Sequence, residues 1–438
     1  MRSLFLLDEK AGLLTIKDKL LYVLVVIFFV TFYPSHIPSI NVVAVVLLSV
    51  YCIFIYGSFR EKWHLLRQRK EVVAMAAFYL LHIVSSLCSK NVAEGFSWTV
   101  IRMPLFVFPV SLGCVYIKQA LKERVLFAYS VITTITVLFC FIWGIVASLV
   151  NNDSSLLYND NLTYPIDKQS IYIALLANVA IFSFVYLLYI KSPLVAKKGL
   201  VYASLFILLM AVFFLASRIA LITLFGSTVC VAVWYIIQKR KLKLLGLVGA
   251  GIVAVLVLLI TVFPKTWNRF QELGFTHYEY AHKGEESHFD MPVTADQWNG
   301  ANIRLAVWHC GWELVKQHPV FGVQLGDKVD LMMDTYKAKN FDFAYETRRN
   351  THNNYLDILV AFGFTGLLLF LWAFLFEPLR QCIRHKDFFG VFVIAAFVLS
   401  FIPETYFDRS LGNMMFAFFI AFIVSYRKPV ANNERNKQ

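Results

Sequence analysis

Two arginines and a histidine, widely separated in the chain, carry side chains that suit chemistry on a phosphate group. Arg218 stands alone between two apolar runs, in FFLASRIALITL, and Arg304 lies in the polar stretch GANIRLAVWHCGW. A planar guanidinium binds phosphate oxygens through two parallel hydrogen bonds, so both arginines are candidate anion ligands. His352, in TRRNTHNNYLDILV, comes just before an apolar helix. A neutral imidazole at this position is a candidate proton acceptor at neutral pH.

Each of these three residues also has a simpler explanation. Arg218 could extend to the membrane interface with its charge in water, and Arg304 could be a solvated charge on a helix surface. His352 could cap the end of the apolar helix that follows it. The partial positive charge at a helix N-terminus disfavours imidazolium, which favours the neutral base. Arg348 and Arg349 could add to the same basic surface as Arg304, but their interpretation as ordinary loop charges is favoured.

Polar and aromatic residues next to the candidates could contact a sugar. Asn353, Asn354 and Tyr355 follow His352 directly, and Trp308 lies one helical turn after Arg304. Asparagine is also a common helix cap, and capping is the safer interpretation of the amides. A short polar loop near the C-terminus contains Glu404, Asp408 and Arg409, which could pair with one another.

Neither a metal nor another cofactor is expected. Besides His352, five histidines in the polar stretch 264–355 have no metal-ligating spacing, and no HExxH motif occurs. They are His277, His282, His288, His309 and His318. The chain also has no phosphate-cradling glycine loop and no CxxC pair.

Composition identifies the elements that must position these residues as membrane helices. The 438 residues are 59% hydrophobic and only 16% charged, and apolar runs of spanning length recur along the chain. The net charge of +13 comes from Lys and Arg in short loops rather than from a basic face. This distribution reflects membrane topology and argues against nucleic-acid binding.

The pattern predicts an all-α polytopic membrane protein with about twelve transmembrane helices. The predicted spans cover about 20–33, 40–57, 71–88, 98–117, 125–150, 169–190, 200–217, 219–237, 244–263, 356–376, 388–403 and 411–426. Lys and Arg are concentrated in the connections that this scheme places inside the cell, so both termini are expected in the cytoplasm.

Four regions follow from this scheme. Residues 1–263 hold helices one to nine, 264–355 form a long periplasmic loop, 356–426 hold helices ten to twelve, and 427–438 are a cytoplasmic tail. Apolar residues at helical spacing predict a loop helix over Asn302–Gln317, ended by His318-Pro319. A second loop helix is expected over about Asp327–Ala338.

The order and spacing of these motifs resemble the O-antigen ligase and polymerase superfamily of bacterial inner-membrane glycosyltransferases. The resemblance covers about Leu200 to Tyr426. One departure is Gln324, at a turn position where the family often has glycine. The motifs are an outward arginine at a span boundary, Ile303-Arg304-x3-Trp308, His318-Pro319-x2-Gly322, His352-Asn353-x-Tyr355-Leu356 and Gly363-x2-Gly366.

The resemblance implies a GT-C-like fold and a metal-independent, inverting transfer of a glycan from undecaprenyl diphosphate to an acceptor hydroxyl. It implies that Arg218 and Arg304 hold the diphosphate and that His352 accepts the proton. The active site would lie on the periplasmic side of the inner membrane. The partners would be the lipid-linked glycan, an acceptor and the lipid bilayer.

The acceptor remains open at this point. Ligation to lipid A–core is favoured, with polymerisation of the lipid-linked glycan or transfer to a protein hydroxyl as alternatives within the superfamily. A twelve-helix transporter is a more distant alternative. Two-half carriers have their long connection inside the cell after the sixth span, whereas this chain has its long loop outside, after the ninth.

Overall fold

The structure is a computed structural model that describes residues 14–34, 38–238, 240, 242–282, 284, 286 and 297–428. Regular structure in this part of the chain is helical, apart from an isolated bridge between Glu286 and Trp298. The predicted all-α class is therefore confirmed for the described residues. Most of the predicted tail, residues 429–438, lies outside them, as does His288.

α-Helices follow one another along the described chain, and the longest connection between them is the one from 272 to 301. The helices of the first half are α1 (Ile16–Phe32), α2 (Pro38–Val50), α3 (Phe59–Gln68), α4 (Lys70–Cys88), α5 (Val92–Ile101), α6 (Pro104–Ser111), α7 (Gln119–Asn151), α8 (Asn159–Leu162), α9 (Ser170–Tyr189) and α10 (Lys198–Phe214). Those of the second half are α11 (Arg218–Gln238), α12 (Leu245–Thr261), α13 (Pro264–Gln271), α14 (Asn302–Gln317), α15 (Lys328–Ala338), α16 (Asp342–Glu346), α17 (Asn354–Phe370), α18 (Glu377–Arg384), α19 (Phe388–Ser400) and α20 (Ser410–Ser425).

Apolar helices of spanning length make this a multi-pass membrane protein. Among the described residues, α4, α7, α9 and the continuous segment Asn354–Arg384 are long and apolar enough to cross a membrane. The number rises to seven if each of three bent helix pairs forms one span, and further apolar helices are shorter. Every predicted span coincides with helix, whereas the total of twelve stays a prediction. The two helices predicted over Asn302–Gln317 and about Asp327–Ala338 are present as α14 and α15, whereas their position in a periplasmic loop stays a prediction.

The fourth predicted span is broken into α5 and α6, which meet at an angle of 43°. Pro104 opens α6 and has no N–H to continue the ladder of α5. Arg102, which falls inside the fourth predicted span, lies at this break and is fully buried. Its guanidinium donates to Asp357 at 2.6 Å and to Asp408 at 3.4 Å. A buried arginine of this kind requires such carboxylates.

The guanidinium of Arg69 holds several connections between helices together. It lies at the end of the helix bundle where α3 is found. Arg69, between α3 and α4, is buried and donates to four backbone carbonyl oxygens. The distances are 2.7 Å to Gly113, 2.7 Å to Val115, 3.0 Å to Ser425 and 3.1 Å to Arg427. These carbonyls lie at or beyond helix ends, where no helical amide can reach them. The candidate residues lie at the other end, which we call the site end.

At the site end, the turn that follows α14 packs against α17 where the helix is broken. Gly363 has φ +63° inside α17, so the helical ladder is interrupted there. The amides of Val323 and Gln324 donate to Val360 and Ala361 at 2.8 and 3.2 Å, and this replaces the missing helical bonds. A Cβ on Gly363 would lie 2.4 Å from the backbone of the turn, which explains the glycine.

Gln324 adopts the conformation that a glycine would adopt freely. Its φ is +78°, in the left-handed region where side chains are strained. Its Oε1 accepts a hydrogen bond from Ser85 Oγ at 2.9 Å, and the same hydroxyl accepts from the Leu325 amide at 2.9 Å. The departure from the family pattern therefore keeps the turn geometry and adds an anchor to α4.

Candidate active site

Arg218 is the first residue of α11 and is held against α13. Its Nη1 donates to the Arg269 carbonyl at 2.6 Å and to Glu272 Oε2 at 3.1 Å. The Arg218 side chain is 14% exposed and Glu272 is 1% exposed. Arg218 is therefore not a side chain that extends alone into interfacial water. Its Nη2 forms no hydrogen bond with a described residue and is available to an anion.

Arg304 lies in the first turn of α14, whose start is fixed by Asn299. Asn299 Oδ1 accepts from the Ala301 and Asn302 amides at 2.8 and 3.1 Å, which satisfies free amides at the start of the helix. Arg304 Nε donates to the Pro403 carbonyl at 2.8 Å and Nη1 donates to the Gly300 carbonyl. Burial lowers the pKa of Arg304, and the nearby Glu404 carboxylate counteracts this. The side chain is 19% exposed, so it is not a freely solvated charge.

Gly300 brings the two arginines together. A Cβ added at Gly300 would lie 2.9 Å from Arg218 Nη2, 3.0 Å from Arg304 Nη1 and 3.0 Å from Glu272 Oε2. Both guanidinium groups therefore flank the same residue, although they are 86 positions apart in the chain. A residue without a side chain leaves room for them to converge.

His352 occupies a strained turn directly before α17. Its φ is +42°, and its amide donates to Asn350 Oδ1 at 3.1 Å. A non-glycine residue in this region costs about 1–3 kcal/mol and persists only where its surroundings impose it. The imidazole is 20% exposed, and its Nδ1 lies 3.4 Å from Glu404 Oε2. The position of His352 is therefore fixed both by its backbone amide, which binds Asn350, and by its imidazole, which contacts Glu404.

Glu404 links the histidine to the arginines. Its Oε2 lies 4.0 Å from Arg304 Nη2 as well as 3.4 Å from His352 Nδ1. Burial by itself would raise the pKa of Glu404, but hydrogen bonding with His352 and the charges of His352 and Arg304 lower it overall. An ionised carboxylate only accepts hydrogen bonds, so Nδ1 carries the hydrogen and donates. In the neutral ring, Nε2 is then the free proton acceptor.

The polar neighbours of His352 bind the protein's own backbone. Asn353 Oδ1 accepts from the Leu356 amide at 3.0 Å and caps α17. Asn354 Oδ1 accepts from the Phe407 amide at 3.0 Å, and the Tyr355 hydroxyl donates to the Val398 carbonyl at 2.9 Å. These residues hold the loop between α19 and α20 next to His352. The capping interpretation therefore describes Asn353.

Trp308 has no such backbone contact through its polar atom. Its indole Nε1 is buried and has no hydrogen-bond partner among the described residues. The ring is partly buried and packs against the apolar core of the loop helices. A sugar contact by Trp308 stays a prediction.

Sequence reasoning missed Glu272, Gly300 and Glu404. Glu404 was expected to pair within its own loop, with Asp408 and Arg409, and this was wrong. It contacts His352 and Arg304 instead, while Asp408 accepts from Lys328 Nζ at 2.9 Å. The signal in the sequence was a carboxylate in a short loop beside a span, but spacing cannot show which distant cations it meets.

These observations define a class: an all-α, multi-pass membrane protein with a buried cluster of arginines, carboxylates and a histidine at one end of its bundle. Residues 203–371 match the family model for the O-antigen ligase. The chain is also 25% identical over 456 aligned positions to the teichuronic acid biosynthesis protein TuaE of Bacillus subtilis (strain 168). That alignment covers 97% of this chain and 87% of the relative. Both comparisons support the O-antigen ligase and polymerase superfamily, and the resemblance seen in the motifs is confirmed.

Proposed function

We propose that this protein is a glycosyltransferase that moves a glycan from undecaprenyl diphosphate to an acceptor hydroxyl at the outer face of the inner membrane. The observation that supports the proposal is the continuous cluster from Arg218 past Gly300 to Arg304, Glu404 and His352. Two candidate anion ligands and one candidate base lie together at the same end of the bundle. The family match and the relative support the general class of enzyme.

The two arginines would hold the diphosphate of the donor. The reaction breaks the bond between the anomeric carbon and a phosphate oxygen, and negative charge grows on the departing diphosphate. Arg218 Nη2 forms no hydrogen bond with a described residue, and Arg304 Nη2 has only the 4.0 Å approach to Glu404. Fixed cations in a partly buried site stabilise such charge more than water does. Arginines in this role would make the transfer independent of a divalent metal.

His352 would act on the acceptor. Its Nε2 takes the proton of the acceptor hydroxyl while the hydroxyl oxygen bonds to the anomeric carbon, opposite the leaving diphosphate. This geometry inverts the anomeric centre. Glu404 accepts from Nδ1–H and stabilises the imidazolium that forms. The 3.4 Å separation is long for a hydrogen bond, as is common before substrate binds.

Two versions of the proposal differ in the molecule that accepts the glycan. A ligase would transfer the glycan to lipid A–core, and a polymerase would add it to another lipid-linked glycan. The relative is named for the biosynthesis of teichuronic acid and not for a lipid A–core product. That observation favours the polymerase. The two versions use the same arginines and histidine.

The test is a reconstituted transfer assay in proteoliposomes with lipid-linked oligosaccharide, with or without lipid A–core, and with EDTA. Lengthened lipid-linked glycan supports the polymerase, and modified lipid A–core supports the ligase. His352→Ala and Arg304→Ala should each abolish transfer, whereas Lys316→Ala, an exposed change on the same helix as Arg304, should not.

Two results would overturn the proposal. Transfer that survives His352→Ala at the wild-type rate would remove the histidine from the mechanism. No transfer by the wild type to either acceptor, combined with flux of a lipid-linked glycan across the bilayer, would favour the transporter instead.

A further inference from the structure

A second polar feature adjoins the candidate active site. It is a cavity of about 330 Å³, which we call the outer cavity. Its lining includes Trp98, Lys328, Met332, Arg348, Asn350 and Arg409. The volume lies at the lower end of the range for small-molecule sites, which suits one or two sugar rings.

The outer cavity shares a wall with the segment that carries His352. Asn350 and Thr351 line the cavity and directly precede the histidine. Asn350 Oδ1 accepts from the His352 amide at 3.1 Å, and its Nδ2 donates to Asp408 at 3.0 Å. Thr351 Oγ1 lies 3.1 Å from Thr405 Oγ1, next to Glu404. A molecule in the cavity would therefore lie beside the proposed base.

The buried charges under the cavity balance one another. Lys328 Nζ donates to Asp357 at 2.7 Å and to Asp408 at 2.9 Å, and Arg102 donates to Asp357 at 2.6 Å. Two cations thus face two carboxylates, and all four are largely or fully buried. Paired charges of this kind hold the floor of the cavity in place but leave no excess charge for a ligand.

The excess positive charge lies at the rim. Arg348 and Arg409 are exposed and form no ion pair with a described residue, whereas Arg349 pairs with Glu286. Arg348 has φ +47°, a strained turn that fixes where its backbone points. Glu94 is the remaining lining carboxylate, and it too forms no ion pair with a described residue. Two free guanidinium groups suit an anion, and one carboxylate suits sugar hydroxyls.

We propose that the outer cavity binds an acidic sugar, one that carries a carboxylate or a phosphate, through Arg348 and Arg409. If the proposed transfer is correct, this sugar belongs to the acceptor glycan, because the cavity adjoins the residue that would act on the acceptor hydroxyl. The assignment as acceptor rests on the proposed function, whereas the binding of an acidic sugar does not.

The direct test measures binding to the full-length protein in phosphatidylcholine nanodiscs. The probes are a trimer of galacturonic acid, the matching neutral trimer of galactose and galactose 6-phosphate. We expect the acidic trimer to bind at least tenfold more tightly than the neutral one, with an affinity that falls as salt rises. The double variant Arg348→Gln/Arg409→Gln should weaken the acidic trimer about tenfold and leave the neutral trimer unchanged. Lys337→Gln, an exposed cation on α15, is the matched control.

Two further measurements complete the test. The first asks whether the two arginines bind a lipid headgroup instead of a sugar, and the second asks whether the double Gln variant is misfolded. Adding phosphatidylglycerol to the nanodiscs should not displace the acidic trimer; full displacement would make the rim a lipid headgroup site and overturn the proposal. The double variant Arg348→Lys/Arg409→Lys should bind the acidic trimer more tightly than the double Gln variant does. Lysine restores the positive charge but not the planar guanidinium. Equal binding of acidic and neutral trimers, or no effect of the double Gln variant, also overturns it.

Failure of this inference and failure of the proposed function give different results. If the protein transfers glycan and the double Gln variant leaves the acceptor KM unchanged, the acidic-sugar site is wrong and the transferase stands. If the protein binds the acidic trimer through both arginines but transfers nothing, the transferase is wrong and the site stands.

Discussion

Arg304 and His352 approach the same oxygen of Glu404. Arg304 Nη2 lies 4.0 Å and His352 Nδ1 lies 3.4 Å from Glu404 Oε2. One carboxylate therefore orients the histidine and also faces an arginine that would hold the donor. In the proposed reaction, Glu404 is a positioning residue that joins the donor side of the site to the acceptor side.

Replacing Glu404 with Gln should slow transfer by about 100-fold, within the range that general base catalysis contributes. The amide no longer stabilises the imidazolium, and its NH2 group can turn toward Nδ1 and favour the wrong tautomer. We expect the change in kcat, with the donor KM altered less than threefold. Initial rates in the reconstituted assay measure both. Glu313→Gln changes a partly exposed carboxylate that pairs with Lys339, and it should keep the wild-type rate. A donor KM that rises while kcat holds would place Glu404 in donor binding only.

The lowered pKa of Glu404 predicts a specific pH dependence of stability. Because the folded pKa lies below the ordinary value of 4.5, the carboxylate stabilises the folded protein above that value. This stabilisation disappears as the pH falls through the folded pKa. The difference in thermal unfolding midpoint between wild type and Glu404→Gln should therefore be constant well above pH 4.5 and shrink as the pH falls below 4.5. A difference that stays constant over this window would show that Glu404 has no such shift.

The sequence predicted the parts of this site that depend on local pattern. Apolar residues at helical spacing located α14, which carries Arg304, and an apolar run located α17, which begins just after His352. The contacts between elements could not be predicted in this way. Gly300, Glu272 and Glu404 act through packing of segments more than twenty residues apart, and hydrophobic periodicity carries no information about such pairs.

The broken helices show the same limit. The fourth span was predicted as continuous although it contains Pro104, and the burial of Arg102 depends on Asp357 and Asp408, which lie in distant helices and loops. The break in α17 at Gly363 depends on the turn at Gly322 filling it. Such tertiary contacts override local helix propensity.

Gly300→Ala should weaken the use of the donor while leaving the fold intact. The added methyl would lie 2.9 to 3.0 Å from Arg218, Arg304 and Glu272. These contacts are the ends of long side chains, which can move aside, so the guanidinium groups separate. We expect kcat/KM for the lipid-linked donor to fall about tenfold, since small misplacements at a reacting centre have large effects. Gly274→Ala, with open space around its Cβ, is the control. Equal activity of both variants would show that the arginines need no such proximity.

Gln324 gives a test of how the turn supports the site. Gln324→Gly relieves the strain at φ +78° but removes the hydrogen bond from Ser85. The relief of about 1–2 kcal/mol and the lost bond of about 0.5–1.5 kcal/mol nearly cancel. The free energy of unfolding should therefore change by less than about 1 kcal/mol.

Gln324→Val loses the same bond and adds a branched Cβ in the left-handed region, so it should destabilise the folded protein by about 2 kcal/mol or more. Thermal unfolding in detergent compares the three proteins. If Gln324→Val is as stable as the wild type, the turn does not impose the left-handed conformation, and the turn is held against α17 less tightly than its hydrogen bonds to Val360 and Ala361 indicate.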